Sequence, residues 1–250
     1  MHGKIGRKIA GMLLTCSILL IGIFQGGSSN PMKTYAAENK SQKITIGSVV
    51  SFGSYEQDNN LENGKEPLEW IVLDQKEGSV LLLSRYVIDY EPYHEERTDI
   101  TWADCDLRFW LNGEFYGAAF NVNEQDRIMQ TEVVNHDNEE YDVPGGFTTY
   151  DKLFLLSLEE IGRYTGTNPE RKAKATPYAK ESGVSTYGDD EIASWRLRSP
   201  GDDAAHAAYV DYGGGVDVHG DAVASGIFGP GIDSDYHYVG VRPALWVTLD

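Results

Sequence analysis

The chain contains two cysteines, Cys16 and Cys105, and only the second can belong to a folded domain. Cys16 lies inside an apolar and small-residue stretch from Ile9 to Phe24 that follows Lys4, Arg7 and Lys8, with no acid before it. That arrangement is the charged n-region and apolar h-region of an export signal. Gly26, Gly27, Ser28, Ser29, Asn30 and Pro31 then break the helix, and small residues at Thr34-Tyr35-Ala36-Ala37 place cleavage after Ala36 or Ala37. An uncleaved anchor would use the same stretch, which is shorter than the roughly 20 residues that span a bilayer. A lipoprotein would need its cysteine after the h-region. The expected product is secreted, with residues 1–36 as signal, 37–43 as a polar leader and 44–250 as one globular domain. Its single thiol rules out an internal disulfide and a cysteine-based zinc site, so a packed core must supply stability.

Removing residues 1–36 takes away Lys4, Arg7, Lys8 and Lys33 and no acid, so the formal charge falls from -18 to -22. Such a surface repels nucleic acid and anionic lipid, which leaves no nucleic-acid partner and no membrane partner after cleavage. About 210 residues, with 11% aromatics over the whole chain, suffice for one core.

Strand-forming residues occupy Ile44 to Phe52, and Asp58 to Pro67 is polar and turn-rich. Leu68 to Asp74 and Ser79 to Ser84 form a hairpin about Lys76-Glu77-Gly78, with aliphatic runs that predict a central position. Thr101 is expected to cap a helix that turns Trp102, Cys105 and Phe109 inward, with Leu107 and Leu111 beside them, and Asp104, Asp106 and Arg108 outward. Phe115 to Phe120 and Asn123 to Val133 read as further helical segments, the latter with Ile128 and Met129 inward. Asn135 to Tyr150 reads as a surface loop, and Leu153 to Leu156 as a short strand. Ser157 with Glu160 is a capping box, and Thr176 before Pro177 starts a helix that Gly183 ends. Beyond Ile192, short strands alternate with Gly and Asp clusters. The expected class is α+β: a single domain, antiparallel sheets at both ends of the chain, helices in the middle and a loop-rich C-terminal half.

Five strings occur in order: Phe52-Gly53-Ser54-Tyr55, Leu68-Glu69-Trp70, Leu107-Arg108-Phe109-Trp110-Leu111-Asn112, Trp195-Arg196-Leu197-Arg198-Ser199-Pro200-Gly201 and Val241-Arg242-Pro243-Ala244-Leu245-Trp246. Together, over Val49 to Leu249, the chain resembles the bacterial domain-of-unknown-function family 6273. The resemblance implies an exported protein of Gram-positive gut bacteria and a C-type-lectin-like fold shared with formylglycine-generating enzymes. Arg196 departs from the pattern, standing where many relatives carry an aromatic. A family without assigned function implies no activity, and a shared fold implies none either.

Read chemically, Arg198 and Arg242 lie in apolar strands and are expected to be structural arginines that need carboxylate or carbonyl partners. Gly201 to Gly220 gathers Asp202, Asp203, His206, Tyr209, Asp211, Tyr212, Asp217 and His219. Strand alternation puts Tyr209 and Asp211 on one face and Ala208, Val210 and Tyr212 on the other. Rings beside carboxylates suit a sugar, whose apolar face stacks and whose hydroxyls donate; an ordinary polar hairpin has the same composition. Tyr209, Asp211, Tyr236, Tyr238 and Trp195 are the candidate ligand-binding residues. No catalytic residue, metal ligand set or cofactor fingerprint stands out: EF-hand, lectin calcium, His-Glu-x-x-His and phosphate-loop spacings are absent, and one cysteine cannot run formylglycine chemistry. These features favour a recognition module for a carbohydrate or surface protein. A polysaccharide hydrolase using two carboxylates and a purely structural surface domain are the alternatives.

Overall fold

A computed structural model describes residues 44–224 and 238–249. The expected export signal, the expected leader and Tyr236 lie outside the described residues. All described residues fall in one compact unit, and none of their helices is long and apolar enough to cross a membrane.

The aliphatic hairpin forms as its pattern requires. β1 (Val49–Tyr55) pairs with β2 (Glu66–Lys76), β2 with β3 (Ser79–Ser84), and all pairings are antiparallel. Every residue of β3 is buried, whereas β2 buries alternate residues. Trp70 is fully buried because its one polar atom is satisfied: Nε1 donates to the Phe52 carbonyl at 2.7 Å.

The middle of the chain carries short helices. α1 (Asp106–Trp110), a π-helical turn (Leu111–Phe115) and α2 (Tyr116–Ala119) run without a break. They bury Leu107, Leu111, Phe115 and Ala119, a four-residue stripe. A helix of 3.6 residues per turn would rotate such a stripe out of register, and the wider π turn holds it on the core. Two expectations change here. The helix begins at Asp106 with Cys105 as N-cap, not at Thr101, so Phe109 is 58% exposed rather than inward. Arg108 turns inward instead, its Nε donating to Asp151 at 2.7 Å.

α3 (Val122–Arg127) is capped by Asn121 and Glu124 and stops before β4 (Thr131–Val133), which pairs with β5 (Thr149–Asp151). The long helix expected over Asn123 to Val133 is therefore a short helix and a strand; Ile128 is buried and Met129 exposed. The stretch 135–148 is irregular, yet Asn135 and Asn138 are buried. Leu153 to Leu156 is extended and buried but bridges rather than forms a strand. Phe154 pairs with Ala244, and the Leu156 carbonyl takes the Arg198 N–H.

α4 (Leu158–Tyr164) starts at the Ser157–Glu160 capping box. α5 (Asn168–Arg171), β6 (Ala173–Lys174) and α6 (Pro177–Ser182) follow, the last capped by Thr176 and ended by Gly183 at φ +128. β7 (Thr186–Tyr187) and β8 (Ile192–Ala193) complete a small sheet with β6. β9 (Trp195–Pro200), β10 (His206–Val210) and β11 (Val216–Ala222) form an antiparallel sheet in the order β11-β10-β9. β12 (Ala244–Thr248) returns to β3, setting Trp246 against Leu81. The fold is thus α+β, with sheets built from both ends of the chain.

Candidate functional site

Three arrangements of side chains carry chemistry, and each follows from a local feature of the chain. The first is a row across the C-terminal sheet. Tyr209 is directly opposite Arg196 on one side and Asp217 on the other, so the three side chains share a face. Tyr209 Oη donates to Asp217 Oδ2 at 3.2 Å. Arg196 is 1% exposed and donates to the carbonyls of Ala207, Asp221 and Ala222, with the Asp221 carboxylate 3.5 Å away. Burial lowers the Arg196 pKa, against the pull of Asp221. Burial and then Asp217 raise the Tyr209 phenol. This row is a brace: the Tyr209 hydroxyl and the terminal guanidinium nitrogens of Arg196 donate within the fold. Asp211 serves the turn that follows, accepting from the Gly215 N–H at 2.9 Å. In that turn Gly214 has φ +84, and a side chain there would meet the Asn168 carbonyl at 1.9 Å, so the hairpin tip is fixed against α5.

The second arrangement lies past the end of β10. Tyr212 and Tyr187 stack with centroids 4.3 Å apart and planes at 21°, and they are 40% and 63% exposed. They border a cleft of about 60 Å³ with Tyr238, Ile192 and the hydroxyl residues Ser185, Thr186 and Ser194. Tyr238 meets Tyr90 edge-on at 5.6 Å.

Of the five candidate ligand residues, only Tyr238 lines this cleft. Tyr209 belongs to the brace, Asp211 to the turn, and Tyr236 lies outside the described residues. Trp195 is fully buried; its Nε1 donates to the Arg171 carbonyl at 3.0 Å and its ring lies under Arg242 at 4.8 Å. Its ring has no free face for a ligand, because every residue of β9 is buried. Ser185-Thr186-Tyr187-Gly188 has no periodic pattern that would mark Tyr187 in the sequence; it is exposed on the two-residue strand β7.

The third arrangement is acidic. The extended segment 87–91 is held by bridges from Val87 to Ala175 and from Asp89 to Val241, and alternation turns Asp89 and Glu91 to one face. Asp89 is 5% exposed and accepts from Tyr55 Oη at 2.6 Å and from the Tyr90 N–H at 2.8 Å. Burial raises the Asp89 pKa in spite of these bonds. Glu91 is pushed up to about 7, chiefly by burial and then by the charges of Asp89, Glu114 and Glu95. A carboxyl group near neutrality beside a second carboxyl can exchange protons at physiological pH.

Two further clusters bring three ligand atoms together, Asp202 with Asp203 and His206, and Glu56 with Asp58 and Glu66. His206 Nδ1 contacts Asp203 at 2.7 Å, and Glu66 and Asp58 accept backbone N–H groups of the 57–60 turn. Calcium takes six to eight oxygens, more than either cluster gathers.

The family described as a domain of unknown function (DUF6273) matches residues 77–249. That span holds three of the five strings; Phe52-Gly53-Ser54-Tyr55 and Leu68-Glu69-Trp70 precede it. No curated protein and no solved structure matches the chain.

Proposed function

The chain belongs to this family of unassigned function, and we propose that it is an extracytoplasmic recognition module whose ligand is a carbohydrate. The stacked, exposed pair Tyr187 and Tyr212 carries the reading. Each ring keeps an outer face for the apolar side of a sugar, while Ser185, Thr186 and Ser194 border the cleft with hydroxyls that exchange hydrogen bonds. Export follows from the signal at the N-terminus, and recovery of the domain from culture medium with an N-terminus at residue 37 or 38 is the expected result.

Binding is tested by a glycan array of bacterial and plant polysaccharides, followed by titration of the strongest hit. Tyr212→Ala and Tyr187→Ala are each expected to weaken that hit about tenfold, or 1.4 kcal/mol. Tyr209→Phe, which alters only the brace, should leave it unchanged. A blank array, or equal binding by all three variants, would sink the reading.

The raised carboxyl of Glu91 favours a second reading, a polysaccharide hydrolase with Glu91 as acid and Asp89 as its partner. Its titration has a sign that can be checked without a substrate. The folded pKa lies above the ordinary 4.5, so folding favours the protonated group. That contribution is complete below about 4.5 and is lost as pH rises through about 7. Asp89 is shifted in the same direction. Thermal denaturation of Glu91→Gln should therefore show little change at pH 5, a higher Tm than wild type at pH 8, and a shallower decline between them. Parallel curves for the two proteins would mean that Glu91 titrates normally. Hydrolysis that survives Glu91→Gln would remove it as the acid.

A further inference from the structure

Arg242 differs from the part-buried Arg108 and from the buried Arg196 and Arg198 in what it lacks. Arg108 is paired with Asp151, Arg196 with Asp221 and Arg198 with Glu160. Arg242, at 1% exposure, has no carboxylate within ion-pair distance among the described residues. Its Nε donates to the Ser84 carbonyl at 2.8 Å and its Nη1 to the Arg171 carbonyl at 3.0 Å, while the guanidinium lies 4.8 Å over Trp195. Nη2 has no hydrogen-bond partner among the described residues. The backbone that carries the side chain is fixed on both flanks: Val241 exchanges hydrogen bonds with Ile88 and Asp89, and the Pro243 carbonyl takes the Ser84 N–H. The side chain itself is held inside by its bonds to the Ser84 and Arg171 carbonyls.

A guanidinium keeps its charge in proteins, and a buried charge is costly unless paired. Burial alone pulls Arg242 down to about 9, with no counter-charge opposing the shift. Beside it is a cavity of about 480 Å³, walled by Ile46, Ile71, Leu73, Leu83 and the Tyr164 ring, with Arg242 itself in the lining. That size is in the range of small-ligand sites, which combine apolar walls with a few placed polar groups. The one carboxylate at this cavity, Glu170, is committed elsewhere: Oε2 accepts the N–H groups of Gly166 and Thr167 at 2.8 and 2.9 Å.

We propose that this cavity binds a small amphipathic carboxylate, its head group paired with Arg242 and its apolar body against Ile71, Leu73 and Leu83. The planar fork of a guanidinium matches a carboxylate, and the aliphatic walls match a short chain or side chain. Free organic acids and peptide C-termini share this chemistry. The site is separate from the Tyr187–Tyr212 cleft and does not depend on it.

Hexanoate and N-acetyl-Leu-Leu with a free C-terminus are the probes, each set against its carboxamide. Calorimetric titration of residues 37–250, with methyl NMR of Ile71, Leu73 and Leu83, is expected to show saturable binding of at least one acid. Its amide should bind at least tenfold more weakly, and the preferred acid distinguishes a free organic acid from a peptide terminus. Leu73→Trp, which fills the cavity and leaves Arg242 in place, should abolish binding, as should Arg242→Met. Should Arg242→Met fail to fold, the acid–amide comparison and Leu73→Trp still decide. Equal binding of acid and amide, binding that survives Leu73→Trp, or no binding of either acid at millimolar concentration overturns the proposal.

Discussion

Asp151→Ala is expected to lower the unfolding free energy by about 3–5 kcal/mol, the range for removing one partner of a buried ion pair. Asp151 is 1% exposed and accepts three hydrogen bonds, from Trp102 Nε1 at 2.9 Å, Arg108 Nε at 2.7 Å and Thr149 Oγ1 at 2.6 Å. Removing it leaves the Trp102 N–H without its acceptor in the interior and the part-buried Arg108 charge without its carboxylate. The same helix reaches the next residues through Asn112, whose Oδ1 takes the Lys152 and Leu153 N–H groups at 2.8 and 3.1 Å. Arg108 and Asn112 of the Leu107 to Asn112 string thus clamp the chain at 151–153 to the helix. Urea denaturation of Asp151→Ala, Arg108→Met and the double variant measures the effect. The double variant should be far less destabilised than the sum of the singles, and additive losses would show that the pair is not coupled.

Arg198→Met is expected to have a loss of similar size, about 3–5 kcal/mol. The side chain is 2% exposed, donates to the carbonyls of Leu155 at 2.6 Å and Val134 at 2.9 Å, and pairs with Glu160. Glu160 also accepts the Ser157 N–H at 3.0 Å, so this guanidinium joins the start of α4 to the segments before β5 and after it. Arg198→Lys should recover little, since one ammonium cannot reach three acceptors spread around a planar fork. Arg242→Met should be milder than Arg198→Met, because its charge has no carboxylate partner to strand. Denaturant midpoints at equal m-value test the order, and a larger loss for Arg242→Met would contradict it.

The parts of the fold legible in the sequence are those set by residues close together in the chain. The hairpin of β2 and β3, the Ser157–Glu160 box and the Thr176 to Gly183 helix follow from local turns, caps and apolar runs, and each formed as expected. The helix near Leu107 was legible as a helix but not in its phase, because Asp151, forty-three residues away, draws Arg108 inward and turns Phe109 out. Polarity made 135–148 read as a surface loop. Yet Asn138 is buried, its Nδ2 donating to the carbonyls of Pro200, Gly201 and Val218. A buried side-chain amide that satisfies backbone groups of another strand is indistinguishable by composition from a solvated one.

The candidate site shows the same division. Strand alternation does not reach Tyr212, which lies past the end of β10 and is exposed, whereas the face of Tyr209 is occupied by Arg196 and Asp217. Trp195, a candidate ligand residue, is instead the buried ring beneath Arg242. Both outcomes rest on which strands meet, and no window of a few residues contains that information.

The amino-acid order by itself determined the β2–β3 hairpin, the caps that start α4 and α6, and that arginines in apolar strands would need partners. Only the tertiary structure decided who those partners are. Arg198 has a carboxylate because the first turn of α4 lies against β9; Arg242, reaching Ser84 across 158 residues, meets carbonyls, an indole and a cavity. The physical reason is that desolvation and pairing depend on distance in space, whereas caps, turns and periodicity depend on distance along the chain.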